Sequence, residues 1–423
     1  MWSGRTRHIQ RPPIARINAL AHELQRSGKS LINLGQAVLG LSPPQAAMDA
    51  AQGFMESTPV HGYSPDPGIP ELRAEVAAWL RRDKAMAEAS ASRILMTCGA
   101  NQAFVNAILA ITDPGDEVVV FSPYYFDHVF AIQLAGCVPV EVPMKATPRG
   151  DGTGQRLALD LDALADSLSS KTRAVTLVSP GNPTGAVADL HEIQGLAALC
   201  RERDLWLLSD ETYDLLTFPP SKHRSPAAVA PSPKTVTMGS FSKIFAMASW
   251  RLGYLYGSEA FIEETIKVQD GLVVCAPVPS QKAGLGALKE RETYVPSALA
   301  ELTRRRDTLL ESLAKSRLFE ILEPEGGTSV WAEMTQSALE LLQSRQSLET
   351  WQASQDPAHE NGGDPSFALA KALLEEAGII SVPGSAFGSK AHQSLRLSFG
   401  NQPPHVLREA AQQLEAFEGR LLA

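Results

Sequence analysis

Long apolar runs are missing from this sequence. The best strand-like run, Val118-Val119-Val120-Phe121, falls far short of the roughly 18 residues a membrane-spanning helix requires, so spanning a bilayer is excluded. Cysteine is scarce too: Cys98, Cys137, Cys200 and Cys275 are the only 4 among 423 residues, and no C-x-x-C pair suggests a zinc site or redox centre. They read as reduced core thiols of a cytoplasmic protein that holds no metal. Positive charge is in deficit, with 38 Lys and Arg against 47 Asp and Glu for a formal charge of −9. That balance and a pI near 5.6 argue against nucleic acid as a partner. No internal repeat is visible. What the chain does have is core material, 44% hydrophobic with 20% charged residues, in a length that suggests two or three domains.

The amino terminus carries Arg5, Arg7, Arg11 and Arg16 with no acid before Glu23. It reads as a basic arm leading into a helix and not as an organellar transit peptide, because Pro12-Pro13 interrupts any early amphipathic helix. A short apolar strand at 31–35 and the polar Ser42-Pro43-Pro44 precede helical spacing from Gln45 to Met55. Apolar runs at 94–97, 117–121, 174–179, 205–209 and 235–238 then alternate with helical segments. This alternation predicts βαβ units, an α/β fold with a largely parallel sheet and helices on both faces. From 290 to 315 the chain turns charged and helical, and Arg304-Arg305-Arg306 reads as the solvated part of a connecting helix. Residues 335–366, rich in Gln, Ser, Asn and Gly, read as an insertion or mobile loop with one helical turn. Strands at 379–383 and 394–399 and a helix at 404–421 complete a smaller α+β unit. The expected division is an arm at 1–45, a large domain at 46–290 and a small domain at 291–423.

Gly239-Ser240-Phe241-Ser242-Lys243-Ile244-Phe245 follows a β-rich run and places one lysine among apolar and small residues. A desolvated lysine loses part of its preference for the charged state, which suits it to attack an aldehyde and form a Schiff base. An ordinary lysine at a strand end is the bland alternative. Ser240, three residues before Lys243, and Arg251, eight after, together make a phosphate socket. Other segments also place polar groups directly after apolar strands. Pro180-Gly181-Asn182-Pro183-Thr184-Gly185 and Ser209-Asp210-Glu211-Thr212-Tyr213 would emerge at the carboxyl edge of the sheet, where such folds bind ligands. The Asn182–Pro183 bond is a candidate cis peptide. Thr97-Cys98-Gly99-Ala100-Asn101 opens a helix whose free amides favour an anion. Ser122-Pro123-Tyr124-Tyr125 offers an aromatic ring, and Leu395-Arg396-Leu397-Ser398 offers a planar double donor for a carboxylate.

In this ordered set, over nearly its whole length, the chain resembles the class I and II aminotransferases, enzymes of fold type I that depend on pyridoxal 5′-phosphate (PLP). The resemblance implies an α/β/α sandwich with a mostly parallel sheet plus a small α+β domain. It implies that Lys243 holds PLP and later moves a proton between the substrate α-carbon and the cofactor. Asp210 would face the pyridine nitrogen, while Asn182 and Tyr213 would donate to the 3′-oxygen. Ser240, Ser242, Arg251, Gly99, Ala100 and Asn101 would surround the phosphate, Tyr125 would stack on the ring, and Arg396 would bind the substrate carboxylate. Gln36, Ala37 and Val38 would line the substrate pocket, and Tyr63 would reach the phosphate of a neighbouring subunit in a homodimer. One departure stands at Ser249, where many relatives have glycine.

The implied reaction moves an amino group from an amino acid to a 2-oxo acid by a ping-pong route. A lyase, a cyclopropane-forming synthase or an oxidase could use the same constellation. A PLP-sensing regulator is a more remote alternative, disfavoured by the negative charge and by the short segment before Leu31. Residues 269–277 hold no arginine for a second carboxylate. With Val38 and Leu39 this favours an apolar or aromatic amino donor over aspartate.

Overall fold

In a computed structural model, residues 3–7, 9, 12–57, 61–149, 154–344 and 364–421 are described. Strand β1 (Ile32–Asn33) follows the helix Ile14–Arg26, which Pro13 precedes as its cap residue. The chain next builds a seven-stranded sheet from β2 (Ile94–Thr97), β3 (Glu117–Ser122), β4 (Val138–Pro143), β7 (Thr172–Val178), β8 (Trp206–Asp210), β9 (Thr235–Ser240) and β10 (Gly253–Tyr256). A short antiparallel pair, β5 (Lys145–Pro148) and β6 (Gln155–Ala158), intervenes. The order across the large sheet is β2-β10-β9-β8-β7-β3-β4. Only β10 runs against its neighbours.

Successive side chains on a strand point to opposite faces, and β3 shows the consequence. Val118 and Val120 pack with Phe104, Ile108, Ile132 and Phe261 on one side. Val119 and Phe121 pack with Leu164, Ile193, Leu196 and Cys200 on the other. The first face is covered by the helices Gly99–Ile111, Phe126–Leu134 and Glu259–Val273, the second by Leu161–Ser167 and Leu190–Glu202. Ile94 and Met96 of β2 and Tyr254 of β10 join the second side against Leu72 and Trp79 of the helix Pro70–Lys84. Doubly buried strands explain the nearly continuous apolar runs in the sequence.

Beyond the large sheet, β11 (Phe319–Leu322), β12 (Ser329–Met334), β13 (Ile379–Ile380), β14 (Val382–Pro383) and β15 (Ser394–Ser398) follow. Four of them form an antiparallel sheet ordered β11-β12-β15-β14, and β13 pairs in parallel with β1, joining the two ends of the chain. A single helix, Val278–Leu313, runs through residue 290 without a break. Arg304-Arg305-Arg306 on this helix is not simply solvated. Arg304 is exposed, but Arg305 is buried, pairs with Glu301 and donates to the carbonyls of Gly400 and Gly40. Arg306 lies over the Phe218 ring at 4.3 Å. The helix turns these residues inward because two loop carbonyls need donors there.

The expected insertion is also corrected in its described part: Gln336–Ser344 is a helix of 9 residues, more than one turn. At its other end Asp364 caps the helix Pro365–Ala377 by accepting the Phe367 amide, with Pro365 in the first turn. Residues 345–363 lie outside the described residues.

The helix Gln45–Ser57 packs closely on Val278–Leu313. Glu290 accepts the Ala46 amide at 2.8 Å, satisfying a free donor at the helix start. Gly286 makes the approach possible, since a Cβ there would lie 2.1 Å from the Ala46 carbonyl oxygen. Gly286→Ala gains about 1 kcal/mol of helix propensity but forces two backbones apart, at a cost of about 1–3 kcal/mol or more. The clash wins because the contacted atom is backbone and cannot swing away. A thermal melt of this variant is expected to show a lower midpoint than the parent; an equal or higher midpoint contradicts the packing.

Candidate active site

At the carboxyl edge of the large sheet, β8 ends in Asp210, β9 ends in Ser240, and β2, β3 and β7 lead into loops that carry further polar groups. Between them lies a cavity of about 200 Å³ lined by Ala100, Asn101, Tyr125, Asn182, Asp210, Tyr213, Ser240, Ser242, Lys243 and Arg251. Residues more than 150 positions apart thus meet in one hollow. Thr212, Val178 and Ala248 also line it and were not singled out in the sequence.

One end of the cavity is an anion cradle. The helix Gly99–Ile111 starts there with Gly99 at φ +82°, and its first amides are free of helical partners. Arg251, itself left-handed at φ 51°, donates to the carbonyls of Ala248 at 3.0 Å and Cys98 at 3.4 Å. A Cβ on Gly99 would lie 2.5 Å from Arg251 Nη2, and one on Gly253 would lie 2.7 Å from the Gly99 carbonyl carbon. Ser240 Oγ accepts the Ser242 amide at 3.0 Å. Asn101 gives its side-chain amide to Asp127 at 2.7 Å, and its backbone N–H stands in the first helical turn. Tyr125 donates to the same Asp127 oxygen at 2.6 Å. Burial first and then Asp127 push the Tyr125 phenol well above its ordinary pKa, so it stays neutral.

The middle of the cavity holds a carboxylate and an amine. Asp210 is buried, with Oδ1 accepting the Thr212 amide at 2.9 Å and Oδ2 3.0 Å from His128 Nε2. Burial alone raises the pKa of a carboxyl, but His128 and Thr212 outweigh it and hold Asp210 below its ordinary value. His128 was missed in the sequence. It stands one helical turn after Tyr125, stacks on Phe104 at 4.0 Å and meets Tyr125 edge-on at 5.2 Å. The Tyr125-x-x-His128 spacing was the available signal. Lys243 Nζ donates to the Ala37 carbonyl at 2.6 Å and lies 5.6 Å from the Tyr213 ring centre. Among the described residues no carboxylate pairs with it.

Arg396, on β15, does not itself line the cavity but bonds to a residue that does. It donates through Nη1 to Asn182 Oδ1 at 2.9 Å and through Nη2 to the Gly35 carbonyl, while Nε has no partner. The guanidinium sits 5.2 Å from the Phe387 ring centre. The residue is only 5% exposed, and burial lowers its pKa. The Asn182–Pro183 bond is cis. Of the arm residues, Ala37 touches Lys243, whereas Gln36 is exposed and Val38 is half-buried, neither lining the cavity. Tyr63 is 83% exposed and stands outside the cavity of this chain. Ser249 is also exposed and does not line it.

Gly99→Ala tests the cradle. Its Cβ must displace the Arg251 guanidinium in a backbone conformation that L-residues rarely adopt. Equilibrium dialysis with PLP should show affinity weakened about tenfold or more, equivalent to a loss of about 1.4 kcal/mol. Unchanged affinity means that phosphate is not held at this helix start.

Residues 29–414 match the family described as aminotransferase class I and II. The chain is 30% identical over 420 residues to an aromatic aminotransferase of Arabidopsis thaliana, covering 98% of this chain and 95% of that one. It is 31% identical to a probable aspartate/prephenate aminotransferase of Aquifex aeolicus, over 94% of this chain and 93% of the relative. Among solved structures, an aspartate aminotransferase of Thermus thermophilus superposes with a TM-score of 0.83 at 30% identity, covering 99% of both chains. The N-succinyldiaminopimelate aminotransferase of Mycobacterium tuberculosis gives 0.84 at 28% identity, over 99% of this chain and 100% of the other. The chain belongs to the class I and II aminotransferases, PLP-dependent enzymes of fold type I that move an amino group from an amino acid to a 2-oxo acid.

Proposed function

We propose that this aminotransferase works through Lys243, Asp210 and Arg396 and takes an apolar or aromatic amino acid as its preferred donor. The observation that carries the reading is Arg396, a buried guanidinium with an unpartnered Nε and no carboxylate beside it among the described residues. Burying a cation without a counter-charge costs several kcal/mol, and a substrate carboxylate would supply that charge.

The donor set fits PLP. Arg251, Ser240, Ser242 and the amides of Gly99, Ala100 and Asn101 would hold its phosphate at the cradle. Asp210, kept ionised by His128, would accept a hydrogen bond from the ring nitrogen. Tyr213 and Asn182 would donate to the 3′-oxygen, and Tyr125 would lie against the ring. When bound, PLP supplies an aldehyde carbon for the amino group and a ring that withdraws electrons from the substrate α-carbon. Arg396 would orient the substrate by its carboxylate, and Lys243 Nζ would take the proton from the substrate α-carbon and hold it for return. Amino transfer in two half-reactions would give ping-pong kinetics.

The side-chain preference draws support from the arginine-free segment 269–277, from Leu39 and half-buried Val38, and from the relative named for aromatic amino acids. Relatives named for aspartate make a dicarboxylate the competing substrate. We also infer a homodimer. Tyr63 lies in a loop tied by Gln269 to Asp66 and by Gln281 to Ser64, next to the segment carrying Leu272, 51% exposed, and Val273, 39% exposed. Gln36, Val38 and the partner subunit's Tyr63 would complete the pocket at that face. The chain divides into an arm, a large domain and a small domain near residues 45 and 290, with the last boundary inside a continuous helix. A cytoplasmic location is supported by four free cysteines, and among the described residues no helix is long and apolar enough to cross a membrane.

Lys243→Ala should abolish transfer, followed as formation of the donor's 2-oxo acid; retained turnover removes Lys243 from the reaction. Arg396→Lys loses the planar double donor and should raise KM for the amino acid about 10- to 100-fold. A 2-oxo-acid panel with one fixed donor tests the preference. Aromatic and branched acceptors should exceed oxaloacetate in kcat/KM, and strong preference for oxaloacetate overturns the reading.

A further inference from the structure

The turn after β8 sends its side chains two ways. Asp210 and Tyr213 line the cavity, whereas their neighbours Glu211 and Asp214 enter a buried polar cluster outside its lining. The centre of that cluster is Lys84, the last residue of the helix Pro70–Lys84. Its Nζ lies 3.3 Å from Glu211 Oε2, pairs with Asp214 Oδ2 and donates to Tyr254 Oη at 3.2 Å. The three charged side chains are 5%, 0% and 6% exposed, in the order Lys84, Glu211, Asp214. Glu211 is held further by Ser225 Oγ at 2.5 Å, Ser209 Oγ at 3.1 Å and His223 Nε2 at 3.2 Å. None of these groups takes part in the proposed reaction.

We propose that Lys84 is a positioning residue for transamination: by gripping Glu211 and Asp214 it fixes the turn that aims Asp210 and Tyr213 at the cofactor. The inference rests on the roles given to Asp210 and Tyr213 above. Glu211 follows Asp210 and Asp214 follows Tyr213, so one ammonium clamps the turn beside both reactive side chains. The Asp214 amide donates to the Glu211 carbonyl at 3.1 Å and closes the same turn. At the surface such a pair would be loose and nearly worthless, but away from water it is stiff. Burial opposes the charge on Glu211, yet Lys84 and His223 outweigh it and hold the carboxyl down at about 2, so the grip is ionic at neutral pH. A shift of about 1 Å in a reacting group costs on the order of a hundredfold in rate.

A purely structural lysine would show itself only in stability, and the test separates the two roles. Lys84→Met strands two buried carboxylates. The double variant Lys84→Met/Asp214→Asn removes one charge of each sign, leaves Glu211 with His223, and carries the test where the single variant does not fold. Loaded with PLP, the double variant should melt close to the parent. Its kcat should nonetheless fall about 10- to 100-fold. KM for the amino acid should stay within about twofold because Arg396 is untouched. The midpoint pH of the visible absorbance and the dissociation constant for PLP should both move. If kcat, absorbance midpoint and PLP affinity all match the parent, the inference is overturned. Asp210→Asn in the parent serves as the reference. Should it shift the absorbance midpoint while the Lys84 variants do not, the inference alone fails; should it too leave the midpoint and kcat unchanged, the role of Asp210 fails and the inference with it.

Discussion

Arg396 sits on β15 of the small sheet, donates to Asn182 at the edge of the large sheet, and donates to Gly35 of the amino-terminal arm. One buried cation therefore touches three parts of the chain. Hydrogen bonds from a charged donor contribute about 1.5–3 kcal/mol each, and the Phe387 ring adds about 0.5–2 kcal/mol. Against these stands a desolvation penalty of several kcal/mol, with Nε left unpaired. In the proposed role, an incoming carboxylate would remove much of that deficit at the point where arm, small sheet and large sheet meet.

Asp210 shows the opposite arrangement. Its carboxylate is as buried as the Arg396 guanidinium, but His128 and the Thr212 amide meet it before any ligand arrives. In the proposed roles, a preformed acceptor would cost no reorganisation on meeting a ring nitrogen, whereas an unfilled cation would keep its attraction for a substrate carboxylate. The cavity accordingly holds Lys243 and Arg251, with Arg396 bonded to its Asn182, inside a chain whose formal charge is −9. Net charge argues against polyanions as partners but carries no information about the small anions that local cations can hold.

Much of this was legible in the sequence because it depends on chain-local order. Apolar runs such as 117–121 and 235–238 stand as strands, and the polar groups after them stand at one edge, since a parallel sheet puts all such ends together. Asn182 and Asp210 stand out by that rule, Lys243 by its apolar surroundings in the sequence and Ser240 by its spacing from Lys243. His128 does not: one histidine on an apolar helix face is ambiguous until the sheet shows Asp210 beneath it. The buried state of Arg305 was equally hidden: its Glu301 partner at i−4 is ordinary for a solvated helix, and the carbonyls of Gly40 and Gly400 that it also meets are remote in sequence. Lys84 likewise reads as a helix-ending cation until the fold brings residues 211 and 214 to it.

The arm adds a last connection. Lys243 donates to the Ala37 carbonyl, while Arg396 donates to Gly35 and Arg305 to Gly40. Three cations thus grip three carbonyls within residues 35–40. Carbonyls are weaker partners than carboxylates, so each grip can yield when a stronger acceptor appears. In the proposed reaction Lys243 would have to release Ala37, whereas Arg396 retains an unpartnered Nε beside its bond to Gly35. In that reaction the central grip, on Ala37, is the one that must break, while those on Gly35 and Gly40 and the pairing of β1 with β13 need not.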